Sequence, residues 1–260
     1  KSSLSNKRNS ISHLFAKFKS DLEFDNFINS DLFISLQKVS NDTYLKVFDT
    51  NLLESEMKPT DQNNLTSELK LSLEAEDYNF TSGMKIFEDL SLKNSDRFQY
   101  ILPYYDYTKN FDLNLFNGQL KFTSSGSNDL NNTNVLKTRV INDLEYQGDQ
   151  IVSELGIVNN LNIYLKNLAT LGKNDSAYKS SPQLELMNVY ELTSSLPLTK
   201  LSNNYNNTLV PKVSFRFNPS DMKNYTTSNK SITVDNIFNI NRLGLTDSFE
   251  KGKSVTLGID

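Results

Sequence analysis

The chain has 260 residues, 37% of them hydrophobic, a mean hydropathy of -0.49 and a formal net charge of -4. The acidic balance excludes the basic patch that nucleic acid requires, the absence of Cys excludes disulfides and thiolate metal sites within the segment, and no run approaches the roughly 18 apolar residues of a membrane helix. The 16 Phe and 12 Tyr set it apart from an unfolded polar chain.

Taken in order, alternation of apolar and polar residues predicts strands over 11–19 and 29–39, then a long polar connection over 40–64. The cleanest alternation follows at 68–75, where Leu69, Leu71, Leu73 and Ala75 oppose Glu68, Lys70, Ser72 and Glu74. Glu76 and Asp77 link this strand to the next, in which Tyr78, Phe80, Met84 and Ile86 oppose Asn79, Thr81 and Lys85. Beyond a polar stretch at 88–96, strands are predicted at 97–107 and 111–123 with a short turn at 108–110. After a longer polar stretch at 124–134 come strands at 135–147 and 150–167, joined by a short turn at 148–150. Polar residues 169–181 precede a strand at 182–198, a short link at 203–208 and a strand at 210–217. The stretch 218–252 is the longest connection, and 253–260 is the last strand.

Two features of this series favour a membrane barrel. Most predicted strands approach or exceed the nine to eleven or so residues that span an outer membrane, whereas soluble strands average about five or six. Short turns alternate with long connections, the asymmetry of outer-membrane barrels. Within 135–147, Lys137, Arg139, Asp143 and Glu145 share one face, and Leu136, Thr138, Val140, Leu144 and Tyr146 share the other, with Asn142 the exception. A charge facing mid-bilayer lipid costs about 2–4 kcal/mol, so such segregation fits a strand between lipid and water. A soluble sandwich separates its faces in the same way, so one strand does not decide. Aromatics are placed as in interfacial girdles, with Tyr78 and Phe80 opening one strand and Tyr104, Tyr105 and Tyr107 closing another. The expected fold is therefore an all-β, antiparallel, up-and-down transmembrane β-barrel, represented by about 11–12 long strands of a larger barrel.

Catalytic chemistry has little to draw on. His13 is the single histidine and lies on an alternating strand, which suits a lumenal or interfacial polar residue better than a triad member. Zinc sites built from His and Cys are excluded, and no phosphate-binding glycine loop is present. The oxygen-rich stretches at 41–43 and 203–207 lack EF-hand spacing and read as solvated loops. No catalytic role, cofactor or metal is expected.

Four segments carry a family resemblance. Residues 31–45, DLFISLQKVSNDTYL, resemble a strand and its SDDTYL loop in the lipopolysaccharide-assembly outer-membrane protein family, LptD or OstA. Leu102-Pro103-Tyr104-Tyr105-Asp106-Tyr107 is similar to the family's LPxxDY strand, and Leu209-Val210-Pro211-Lys212-Val213 to its LEPxV. The most specific likeness is the loop containing Asp235, Asn236, Phe238, Asn241, Arg242, Asp247, Glu250 and Gly252, which resembles DNLFSxNRFxGxDRxExG. Where the family loop has Gly, an aromatic and Arg, this chain has Leu245, Thr246 and Ser248.

The resemblance implies a very large barrel in the outer membrane of a Gram-negative bacterium, plugged by an LptE-like lipoprotein. It would receive lipopolysaccharide from periplasmic bridge proteins and pass it sideways into the outer leaflet. On this reading residues 1–260 are the central part of one barrel domain, with the periplasmic jellyroll and the closing strands outside the segment. Outer-membrane lipid is a further expected partner and nucleic acid is not. A segment of this kind leaves two unpaired strand edges and is expected not to fold alone. The eight loop residues are the candidate site, with no role assigned to them. A general porin or importer barrel, and a soluble β-sandwich adhesin or sugar-binding module, are the alternative classes.

Overall fold

The period-two patterning is realised as strand after strand in a computed structural model that describes residues 11–92, 94–112, 117–201, 205–223, 225 and 231–260. The strands are β1 (His13–Asp21), β2 (Asn29–Val39), β3 (Asn64–Glu74), β4 (Tyr78–Asp89), β5 (Phe98–Asp112), β6 (Gly118–Asn131), β7 (Val135–Gly148), β8 (Ile151–Val152), β9 (Val158–Lys173), β10 (Gln183–Ser195), β11 (Leu198–Leu201), β12 (Asn206–Leu209), β13 (Pro211–Asn218) and β14 (Gly252–Ile259). One five-residue helix, α1 (Tyr44–Phe48), lies in the β2–β3 connection. Among the described residues the main sheet has twelve strands in the order β1-β2-β3-β4-β5-β6-β7-β9-β10-β13-β14, with β8 paired to β9, while β11 and β12 form a separate ribbon. Each main-sheet strand on this path is followed by its next neighbour in the chain, the up-and-down order expected of a barrel segment. No helix among the described residues is long and apolar enough to cross a membrane.

The chain divides into two units. In the first, built mainly on β1–β4, the predicted hairpin is found in register, with Leu69 opposite Met84, Leu73 opposite Phe80 and Glu68 opposite Lys85. Lys85 pairs with Glu68 at 3.3 Å, and the Tyr104 hydroxyl donates to the same carboxylate at 2.8 Å. The connection over 40–63 folds back on this unit. Asn41 Oδ1 accepts from the Thr43 backbone and hydroxyl, both at 2.9 Å, which starts α1 and turns Tyr44 and Leu45 into a core with Val39, Leu65 and Leu90. His13, the lone histidine, shares a 2.6 Å hydrogen bond with the Tyr44 hydroxyl.

The second unit holds most of β7, β9 and β10 with β13, β14 and the long β13–β14 connection. Leu184, Leu186, Leu192, Phe215, Val255, Leu257 and Ile259 stand exposed on one face of its strands, whereas Lys166, Glu191, Ser214, Arg216 and Thr256 are buried on the other. This inverts the usual sense of burial. Asn142, the exception on the apolar face, receives a hydrogen bond from Ser124 at 2.7 Å and donates to Asn167 at 3.1 Å, so its amide is satisfied by its neighbours.

Several boundaries differ from expectation. The predicted turn at 108–110 is strand, because β5 continues to Asp112. Residues 113–116 of the predicted strand 111–123 lie outside the described residues. The predicted loop at 124–134 is mostly β6, since Ser124 bonds Asn142 and Asn128 accepts from Thr138 at 2.7 Å across the strand pair. Its turn is confined to 132–134, where Asn132 and Thr133 take positive φ values of 52° and 59°. The predicted strand 150–167 is broken after β8 by a turn with Gly156 at φ 79°, and β9 then runs on to Lys173 through part of the predicted loop 169–181. The predicted strand 182–198 stops at Ser195, and its tail enters the β11–β12 ribbon. Tyr104, Tyr105 and Tyr107 fall within β5 and do not close it, whereas Tyr78 opens β4 as expected and meets Phe27 edge-on at 5.9 Å.

Candidate functional site: a charged seat for the long loop

The second unit gathers its charged side chains by strand register. Asn162 on β9 is opposite Glu191 on β10, Glu191 is opposite Arg216 on β13, and Arg216 is opposite Ser254 on β14. Side chains at directly opposed positions share one face, so four strands contribute one polar row. Asn162 donates to Glu191 at 3.2 Å and Ser214 donates to the same carboxylate at 3.2 Å. Lys166 lies on the same face of β9, two turns of the pleat further along.

Buried charges are costly unless paired and hydrogen-bonded. Here the partners come from the connection over 231–251. Arg216 is 3% exposed; its Nε donates to the Ile240 carbonyl at 3.0 Å and its Nη1 to the Glu250 carbonyl at 3.1 Å. Asn218 donates to the Glu250 carbonyl at 3.0 Å. Lys166 pairs with Asp143 at 2.8 Å and donates to the Thr246 carbonyl at 2.9 Å. Arg139 on β7 reaches Asp247 at 2.8 Å. A small apolar contact completes the seat: Phe249 packs with Met187 and Val189, and its ring lies 4.6 Å from that of Tyr164. Four strands thus fix one loop largely through its backbone carbonyls, which any sequence would offer, and through two of its carboxylates.

The eight residues singled out in the sequence divide by task. Asp247 and Glu250 face the strands, and Glu250 is paired within the loop to Arg242 and lies 3.6 Å from Arg216. Burial lowers the pKa of Arg242, and the Glu191 carboxylate acts in the opposite direction. Asn241 closes a turn, accepting from the Leu245 backbone at 3.1 Å and donating to its carbonyl at 2.8 Å, with Gly244 at φ 55° between them. Asn236 accepts from the Thr233 backbone at 2.7 Å and donates to the Ser231 carbonyl at 3.1 Å. Phe238 covers Gly258, where an added Cβ would come within 2.7 Å of the ring, and Lys212 sits 4.2 Å above that ring. Gly252, at φ 119°, opens β14 in a conformation that side chains disfavour. Asp235 is exposed and stands apart from the seat. Of the three residues that replace the family's usual ones, Leu245 and Ser248 are buried and Thr246 is exposed.

Sequence reading missed Lys166, Glu191, Arg216 and Asn218. Their signal was present: a charge or amide at the middle or end of an alternating strand, on the face opposite exposed leucines, calls for a partner from elsewhere in the chain. Among the described residues no group of three or more His, Asp or Glu is placed to hold a metal ion.

The loop motif, its seat and the inverted strand faces occur together in a chain whose residues 15–260 match the family LPS transport system D, LptD. The chain belongs to the LptD family. That family serves lipopolysaccharide transport and assembly at the outer membrane. No curated protein matches the chain. The LptD motif residues quoted above are therefore, in this member, largely the residues that shape the long loop and hold it on the strands.

Proposed function

We propose that this chain is part of the wall of one outer-membrane β-barrel domain that inserts lipopolysaccharide into the outer leaflet of a Gram-negative outer membrane. The observation that carries the reading is the inversion of the second unit: Leu186 and Leu257 are 68% and 78% exposed while Lys166 and Arg216 are 4% and 3% exposed. Lipid on the apolar face and a hydrated interior on the other account for both sets of numbers. A soluble sandwich would bury the leucines and expose the charges. Lys253, on the apolar face 5.3 Å from the Phe217 ring, is near the first residue of β14, where a long side chain reaches the membrane surface.

In this reading the short connections such as 75–77 lie on the periplasmic side and the connections over 40–63 and 219–251 on the external side. The long loop, fixed on the polar face, narrows the interior through which the sugar headgroup passes. An LptE-like lipoprotein fills part of the same interior, and periplasmic bridge proteins deliver the lipid. The test is depletion of the full-length protein in its own cell, with complementation. Wild type is expected to restore lipopolysaccharide at the surface and to fractionate with outer membrane. Leu186→Arg, which sets a charge on the lipid side at a cost of about 2–4 kcal/mol if near mid-bilayer, is expected to reduce the assembled protein. Unchanged surface lipopolysaccharide on depletion, or recovery of the protein in the aqueous fraction, would overturn the reading.

A further inference from the structure

In the first unit, where β3 begins, β4 ends and β5 begins, a cleft of about 460 Å³ is lined by Asn64, Phe87, Asp89, Arg97, Gln99 and Asn132, among others. We propose that this cleft binds a neutral saccharide. Its chemistry narrows the ligand by elimination and then by fit.

An anion is disfavoured. Among the described lining residues Arg97 is the one cation, and it is already held by Glu88 at 2.6 Å and Asp42 at 3.0 Å. Asp89 and Asp96 also line the cleft, so a phosphate or carboxylate would meet net negative charge. Among the described residues a cation finds no cluster of ligating carboxylates. A wholly apolar ligand would strip water from amides and carboxylates without replacing their hydrogen bonds.

A sugar hydroxyl both donates and accepts, and so does each carboxamide of Asn64, Gln99, Asn131 and Asn132. Asp89 is held for acceptance, since the Ser91 backbone and hydroxyl both bond its Oδ1, at 2.8 and 2.6 Å, and among the described residues its Oδ2 keeps its acceptor sites. Asn64 is oriented likewise, donating to Asp61 at 2.7 Å and retaining its carbonyl oxygen. Phe98 makes a firm wall, with Lys38 and Arg97 at 5.4 and 5.5 Å from its centre, and Phe87 supplies a second ring surface for the C–H face of a sugar. A few fixed polar groups beside apolar surface are the usual make-up of a small-ligand site.

The source of the saccharide rests on the function proposed above: the cleft lies at the same end of the strands as the long connection over 40–63, so the sugar would be that of lipopolysaccharide on the external side. The experiment is ligand-observed saturation-transfer NMR on the full-length protein in detergent, with the uncharged, lipid-free oligosaccharide fraction released from the cell's own lipopolysaccharide. Wild type is expected to bind. Gln99→Ala with Asn132→Ala, both at exposed positions, is expected to weaken binding about tenfold or more by removing two hydrogen-bonding amides, and Phe87→Ala to weaken it independently. Lys200→Ala, on the separate ribbon, is the control expected to bind as wild type. Equal binding by wild type and the cleft variants, or no binding by wild type, would overturn the proposal. A protein that binds oligosaccharide at the cleft yet leaves surface lipopolysaccharide unchanged on depletion would fail the transport reading and keep this one.

Discussion

The two long connections reach similar ends by opposite means. Residues 40–63 are seated on the first unit mainly by hydrocarbon, since Leu45 and Leu65 are each 1% exposed and Phe15, Phe48 and Leu52 pack around their cluster, while the ion pairs of Asp42 with Arg97 and Glu56 with Lys17 engage exposed carboxylates at its edge. Residues 231–251 are seated on the second unit by ion pairs and by strand donors aimed at loop carbonyls, with two small apolar contacts, one around Phe249 and one where Phe238 meets Gly258. An apolar seat holds whatever is greasy and of the right size, whereas a charged seat fixes register, because each donor finds one acceptor. The second loop can therefore be placed more exactingly, and it is more vulnerable to the loss of one partner.

The largest test of that contrast is Arg216→Ala. It strands the carbonyl of Ile240, leaves the Glu250 carbonyl only its bond from Asn218, and removes a cation from beside Glu191 and Glu250, and breaking a buried charge arrangement on one side costs about 3–5 kcal/mol. The urea midpoint of the full-length protein in detergent, followed by gel mobility with and without heating, is expected to fall accordingly. Arg216→Lys is expected to recover only part of it, since an ammonium cannot keep both forked bonds. Next comes Leu45→Ala, at about 2–5 kcal/mol for a truncated core leucine. Its effect is expected to be confined to the first loop, read as faster proteolysis within 40–63 and unchanged protection of 231–251. Equal exposure of both loops in either variant would erase the distinction.

The smallest expected effect is that of pH on the β9–β10 connection. Burial acts to raise the pKa of Asp175, but hydrogen bonds from the backbones of Tyr178 and Ala177, both at 2.8 Å, and the Lys137 ion pair at 3.1 Å hold it below the ordinary value. A carboxylate whose folded pKa is depressed contributes stability above its unfolded pKa, about 3.9, and loses it as pH falls through the lower folded value. Amide protection at Ala177 and Tyr178 is expected to be level from neutrality to about pH 4 and to decline below it, and Asp175→Asn is expected to flatten that decline. A decline already present between pH 7 and 5 would assign it to another group.

Strands with one greasy and one polar face were legible from the residues alone: β2 was bounded at 29–39 as found, and the β3–β4 hairpin was predicted down to which side chains share a face of each strand, though not which pair across it. What escaped was strand without alternation. The run Ser124-Ser125-Gly126-Ser127-Asn128-Asp129 has no periodicity to read and is nonetheless β6, because the ladder and the cross-strand amide and hydroxyl bonds hold it. The candidate site was half legible. Its loop was marked by the family motif, but the strand residues that hold it sit as many as 108 positions away in sequence, as Arg139 does from Asp247, and register alone brings them together.

Gly258 carries a consequence of its own. Its missing side chain leaves a bare patch of backbone against which the Phe238 ring packs, so the front of the long loop is docked by shape and its rear by charge. The two fastenings can be undone separately: one methyl group at position 258 would evict the ring and leave every ion pair intact. A hinged strap, released at one end, could then be compared with one released at both.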